Sequence, residues 1–139
     1  MTTEDKLLLV QDLCARIPYG VQVQHTTTKI SGTLHDVIVY PFYNKNGIIY
    51  DIEAVTDFFG ECDYVYLEYF KPYLFPMSSM TDKQKKEFEL SFDLNYASAY
   101  SQELQIASNM IKWLNKNHFD YNGLIDKGLA IDATNLNIY

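Results

Sequence analysis

At 139 residues with 47% apolar side chains, the chain has the size of one domain. It is expected to bury roughly 70% of its unfolded surface, which excludes intrinsic disorder. A formal net charge of −7 works against phosphate backbones and anionic membranes and disfavours non-specific nucleic-acid binding.

Residues 3 to 17 read as an amphipathic helix. Thr2 or Thr3 caps it, Glu4 and Asp5 suit the positive end of its dipole, and Leu7, Val10, Leu13 (or Cys14) and Ile17 recur at helical spacing. Pro18-Tyr19-Gly20 ends it in a turn. From Val21 the period changes to two. Val21-Gln22-Val23-Gln24, Lys29 to Leu34 and Asp36-Val37-Ile38-Val39-Tyr40 are three short strands, the last nearly continuous in β-branched residues. Asn44-Lys45-Asn46-Gly47 is a hairpin turn, and Gly47 to Ile52 the strand leaving it. Asp57-Phe58-Phe59-Gly60 reads as a short helical turn or a loop carrying exposed aromatics. Asp63 to Phe70 is the fifth strand, with Val65, Leu67 and Tyr69 on one face.

The segment Lys71-Pro72-Tyr73-Leu74-Phe75-Pro76-Met77-Ser78-Ser79-Met80-Thr81 then separates a strand-rich half from a helical one. Pro72 and Pro76 hold Lys71 and Phe75 extended and argue against a central strand, so the segment is a hinge or a clamp. Thr81 and Gln84 form a capping box for a helix to about Asp93, anchored by Phe88 and by Leu90 or Phe92. Its Lys83, Lys85 and Lys86 alternate with Asp82, Glu87 and Glu89 as a solvated face. Asn95 and Ser98 mark a break. Tyr100, Leu104, Ala107, Ile111 and Leu114, widened by Met110 and Trp113, make the next helix a core element to about Asn117. In the tail, Asp120 suits an N-cap, Gly128 a left-handed position, and Leu129 a contact folding back on the turn.

These elements predict an α+β domain over residues 1–139. A five-stranded antiparallel curved sheet or SH3-like barrel (residues 1–76, with the first helix) carries helices from residues 77–139 packed on it. So small a barrel has no room for an internal cavity, which places any site on a face, a rim or a seam.

The residues that carry chemistry are sparse. His25 and His35 flank a hairpin and, with Asp36, are candidates for a metal site that needs a further ligand. His118 and Asp120 are a candidate dyad, or His118 is a cation beside a helix C-terminus. Ser78 and Ser79 lack a GxSxG elbow and suit free helix amides better than catalysis. Cys14 and Cys62 show no CxxC spacing and no nearby basic group, and point to a reducing compartment. No glycine-rich loop signals a nucleotide, and no cofactor is expected. The N-terminus lacks the pattern of a signal peptide, and no apolar run approaches the roughly 18 residues of a membrane span, so the expected location is cytoplasmic.

"IPYG" after the first helix, "KPYLFPMSSMTDKQKKEFE" and "WLNKNHFDYNGLIDKGLAID" resemble a family of small proteins of bacteriophages, prophages and mobile elements of gut anaerobes. The resemblance covers residues 12–23, 71–90 and 113–133, and its most specific part is the KPYL-x-PMSSMT segment. That family usually carries Arg where this chain has Phe75. The resemblance implies a phage or prophage context inside a bacterial cell, and it transfers no catalytic residue.

The expected function is a non-enzymatic accessory protein that binds another protein. The seam around Tyr64, Tyr66, Tyr69, Tyr73 and Phe75 is the candidate surface, because tyrosines combine apolar area with a polar tip. The alternatives are a nucleic-acid-binding small barrel and a hydrolase or metal enzyme using the histidines and carboxylates. Self-association is a further alternative.

Overall fold

The computed structural model describes residues 1–60, 62–91 and 99–139. Its first element, α1 (Thr3–Arg16), opens on a capping box in which Thr2 accepts from the Asp5 amide and Asp5 from the Thr2 amide. The helix buries Leu9, Asp12, Leu13 and Arg16. The expected stripe is therefore rotated: Leu7 faces solvent, and Val10 and Ile17 only flank the core. Gly20, at φ +68, carries the chain out of the following Ile17–Tyr19 turn through a left-handed position that favours glycine.

Strands β1 (Gln22–His25), β2 (Ser31–Asn44), β3 (Gly47–Thr56) and β4 (Asp63–Tyr66) form an antiparallel run. The two strands expected at residues 29–34 and 36–40 are one, because a bulge between Leu34 and Asp36 absorbs the polar interruption without breaking the ladder. The expected turn at Asn44–Gly47 joins β2 to β3. The fifth expected strand stops at Tyr66, and Leu67–Tyr69 form a 3-10 turn.

The proline segment departs from expectation. Phe70–Pro76 is a strand, β5, pairing antiparallel with β1 and parallel with β6 (Phe119–Asp120) and β7 (Ile131–Asp132). Its prolines are tolerated because they fall at ladder ends. Pro72 occupies the last β1 pair, Val23↔Pro72, and Pro76 is the final residue of the strand. The Phe75 amide donates to the His118 carbonyl and the Ala133 amide to the Leu74 carbonyl. β5 thus clamps the β-rich half to the tail.

The sheet runs β4-β3-β2-β1-β5-β6, with β7 also on β5. It is open, with seven strands among the described residues, and is neither a five-stranded sheet nor an SH3-like barrel. The added strands are β5, which its prolines disguise, and the two-residue β6 and β7, too short to show a period. The main core joins Leu9 and Leu13 of α1 to Val21, Val23, Leu34, Ala54, Leu74 and Leu124. Each of these leucine and valine side chains contributes about 1.5–3 kcal/mol by leaving water.

Helix α2 (Asp82–Leu90) has the expected Thr81–Gln84 capping box and buries no residue fully. Phe88 meets Trp113, with ring centroids 5.2 Å apart, whereas Leu90 is exposed. Phe92, Asp93, Asn95 and Ser98 lie outside the described residues, as does the side chain of Tyr100. Helix α3 (Ala99–Lys116) is less central than its periodicity suggests: Leu104 and Ile111 are exposed. Its C-terminal turns carry the packing. Leu114 joins Met80 and Phe119 in a second core, where Trp113 stacks on Phe119.

Candidate functional site

In an antiparallel ladder, opposed residues share a face and successive residues alternate between faces. The pairs Tyr40↔Asp51, Glu53↔Tyr66 and Val55↔Tyr64 therefore gather Tyr40, Asp51, Glu53, Tyr64 and Tyr66 on one side of β2-β3-β4. Phe42, two residues beyond Tyr40, is on that side too. The other side carries Ile52, Ala54 and Val65 into the core. The first side is open to solvent, with Phe42 54%, Tyr64 63% and Tyr66 43% exposed. Asp51 and Glu53 make no hydrogen bond or ion pair among the described residues, so their carboxylates are free beside the rings.

The β2–β3 hairpin also outruns its neighbours. β1 covers β2 only over Ser31–Thr33, and β4 covers β3 only over Glu53–Thr56. Beyond those limits the ribbon has two strands among the described residues and ends in Tyr43, 83% exposed, opposite Ile48. A two-stranded ribbon is marginal by itself, and exposed apolar side chains at its tip favour contact with another surface.

The five residues expected to form one seam divide into two groups. Tyr64 and Tyr66 stand on the open face, and Tyr69 adjoins them, its ring 6.4 Å from that of Tyr66 and 6.4 Å from that of His25. Tyr73 is buried, with its hydroxyl bonded to Gln24 at 2.7 Å and Ser31 at 2.9 Å. Phe75 packs between Phe119 and Tyr139. Tyr73 and Phe75 are scaffold because β5 turned out to be interior to the sheet. Tyr40 and Phe42 were missed, and the alternation along Ile38, Tyr40 and Phe42 was the available signal.

The histidine pairings do not form. The register Gln24↔Ser31 leaves His25 at the turn, while His35 lies beyond Gln22↔Thr33 at the other end of β1. The His25 Nδ1 accepts from the amides of Thr27 and Thr28, and His35 Nε2 lies 3.3 Å from Asp57, not Asp36. Hydrogen bonds from the Thr33 amide and from His35 hold the Asp57 carboxyl below its usual range, against a burial effect that raises it. Among the described residues no group of three His, Cys, Asp or Glu side chains is placed to hold a metal ion. Asp120 ends β6 and accepts from the Leu124 and Ile125 amides, four and five residues on, so it closes a turn and does not cap a helix, whose second or third amide an N-cap would reach; Leu129 folds back through its amide to the Leu124 carbonyl. His118 turns the other way, its ring stacked on Tyr139 at 3.8 Å. Burial, and next the Arg16 guanidinium, push its pKa down to about 4, so it is no cation at the helix end. Cys14 and Cys62 are both free thiols, and desolvation raises the Cys14 pKa. Ser79 donates to the Pro76 carbonyl.

Two further features were not foreseen. Asp12 and Arg16 form a fully buried ion pair. An open groove of about 480 Å³ lies between Pro76-Met77-Ser78 and the tail residues Asp120, Tyr121 and Asp126. Asp120 is committed to the turn amides, which leaves the groove without a pair of convergent reactive groups. No helix among the described residues is long and apolar enough to cross a membrane. No family model matches the chain, and no curated protein and no solved structure matches it.

Proposed function

We propose that the chain is a non-enzymatic accessory protein that acts by binding another protein through the open face of β2-β3-β4. The observation that carries the reading is the gathering of Tyr40, Phe42, Tyr64 and Tyr66 on one exposed side of a sheet whose other side is the core. Rigid aromatic rings on a strand lose little side-chain entropy on contact, so they suit anchors of an interface. The resemblance of the proline segment and tail to proteins of phages and prophages supports a bacterial host cell as the setting, with a host or phage protein as the partner. The acidic surface argues against nucleic acid as the ligand.

The test is affinity capture from lysate of a host bacterium, with the wild type compared against Tyr64→Ser/Tyr66→Ser. The expected result is a protein retained by the wild type and lost by the variant, whose melting temperature is unchanged. Equal retention by both proteins, or no retention by the wild type, overturns the proposal.

A further inference from the structure

The open face carries a chemical bias that names its occupant, and this step rests on the interaction reading above. Besides its rings it presents the free carboxylates of Asp51 and Glu53, and also Asp36, which opposes Val55 and accepts from the Val37 amide. Two lysines lie at its margins. Lys45 is in the hairpin turn, and Lys6 lines a small crevice with Asp51, Tyr66 and Glu68 where β4 turns away. Unpaired carboxylates beside exposed tyrosine rings complement lysine or arginine, which bond to the former and stack on the latter.

The backbone adds a second requirement. β4 covers β3 only from Glu53 onward, so the outer edge of Gly47–Ile52 is unpaired among the described residues and contains no proline. β2 is a poorer template at its own outer edge, because Pro41 there lacks an amide proton. An open edge in line with β4 accepts an added strand whose side chains alternate between the core side and the aromatic side.

We propose that the partner presents an extended, lysine- or arginine-bearing segment that pairs with the outer edge of β3 and lays its cations beside Asp51, Glu53 and the Tyr66 ring. A second copy of this chain is a poorer occupant, because each copy brings the same carboxylates to the contact and a net charge of −7.

The test uses the full chain and a labelled octapeptide of alternating Lys and Val, followed by fluorescence anisotropy and amide NMR. The expected result is binding roughly tenfold tighter than that of the matching Glu-Val peptide, weakened by raising salt from about 0.05 to about 0.5 M. An alternating Lys-Pro peptide, equally charged but unable to pair, binds more weakly. Asp51→Asn/Glu53→Gln loses roughly tenfold for Lys-Val, and the amides of Gly47–Ile52 gain exchange protection on binding. Equal affinity for the cationic and anionic peptides, unchanged affinity in the double variant, or protection elsewhere overturns the proposal. So does a stable dimer of the chain that shields this edge. If the Tyr64→Ser/Tyr66→Ser variant still loses its captured protein while Lys-Val fails to bind, the face stands and its cationic occupant does not.

Discussion

Arg16 grips Asp12 one helical turn before it, Nε to Oδ2 at 2.6 Å and Nη2 to Oδ1 at 2.9 Å, with both side chains shut off from solvent. The same Nη2 donates to the Phe119 carbonyl at 2.8 Å, and Asn122 donates to Asp12 at 2.9 Å. The Arg16 guanidinium also lies 5.3 Å from the centre of the Tyr121 ring. The pair therefore ties α1 to the tail, as β5 ties the strands to it. Removing one partner strands a buried charge, at a cost of about 3–5 kcal/mol. Asp12→Ala is expected to lose that much in urea unfolding, and Asp12→Leu/Arg16→Met less, because it strands no charge and leaves only the Phe119 carbonyl and the Asn122 amide to find new partners. Equal losses in the two variants would show that packing, not the unpaired charge, sets the cost.

That pair explains part of what the sequence does not disclose. An acid four residues before an arginine on a charged helix reads as a surface contact, and only the tertiary fold buries it. The run Leu7-Leu8-Leu9-Val10 spans most of the helix circumference, so periodicity could not select the face that holds Leu9 and Leu13. The pattern suggests two strands where β2 is one, because the bulge between Leu34 and Asp36 reverses the alternation at His35 and mimics a strand end. Turn chemistry was the most legible part. Thr81 with Gln84, Asn44 to Gly47, and Gly128 at φ +70 are local arrangements that need no partner elsewhere in the chain. The aromatic face was half legible: β4 showed Tyr64 and Tyr66, but register alone brings Tyr40 and Phe42 beside them.

His118 makes stability depend on pH in a defined window. Its folded pKa, about 4, lies below the 6.5 of an unperturbed imidazole, because burial and Arg16 oppose the charged ring. Between those values the unfolded chain binds the proton and the folded chain does not, so its contribution is complete above about 6.5 and is lost as pH falls toward 4. The expected slope from this group is at most about 1.4 kcal/mol per pH unit. His118→Asn, which tolerates the residue's φ of +58, is expected to flatten the stability curve over that window. A ring that titrates near 6.5 by NMR in the folded protein would refute the assignment.

Gly32 on β2 is required by contact, not by backbone angle. A Cβ there would lie 2.5 Å from Oδ1 of Asp57 and 3.0 Å from the Phe58 ring. That oxygen is held by the Thr33 amide at 2.6 Å, and Phe58 is buried. Gly32→Ala must therefore displace the Asp57–Phe58 bend, and about 1–3 kcal/mol of destabilisation is expected. The Asp57→Ala/Gly32→Ala double variant relieves the closest contact. It should cost less than the sum of the two single changes, a coupling that thermal unfolding of the four proteins measures.

The two groups of aromatic residues should respond in opposite ways to substitution. Tyr73 is 3% exposed and its hydroxyl holds Gln24 of β1 and Ser31 of β2. Tyr73→Phe removes the hydroxyl that joins the half-buried Gln24 to Ser31, at an expected cost of about 0.5–1.5 kcal/mol. Tyr64 and Tyr66 project into water, so Tyr64→Ser and Tyr66→Ser are each expected to shift stability by no more than about 0.5 kcal/mol. Urea unfolding of the three variants checks this directly. A Tyr64 or Tyr66 variant as damaged as Tyr73→Phe would mean that the rings support the sheet from outside. In that case the open face is a structural surface, and its aromatic residues are not held in reserve for a partner.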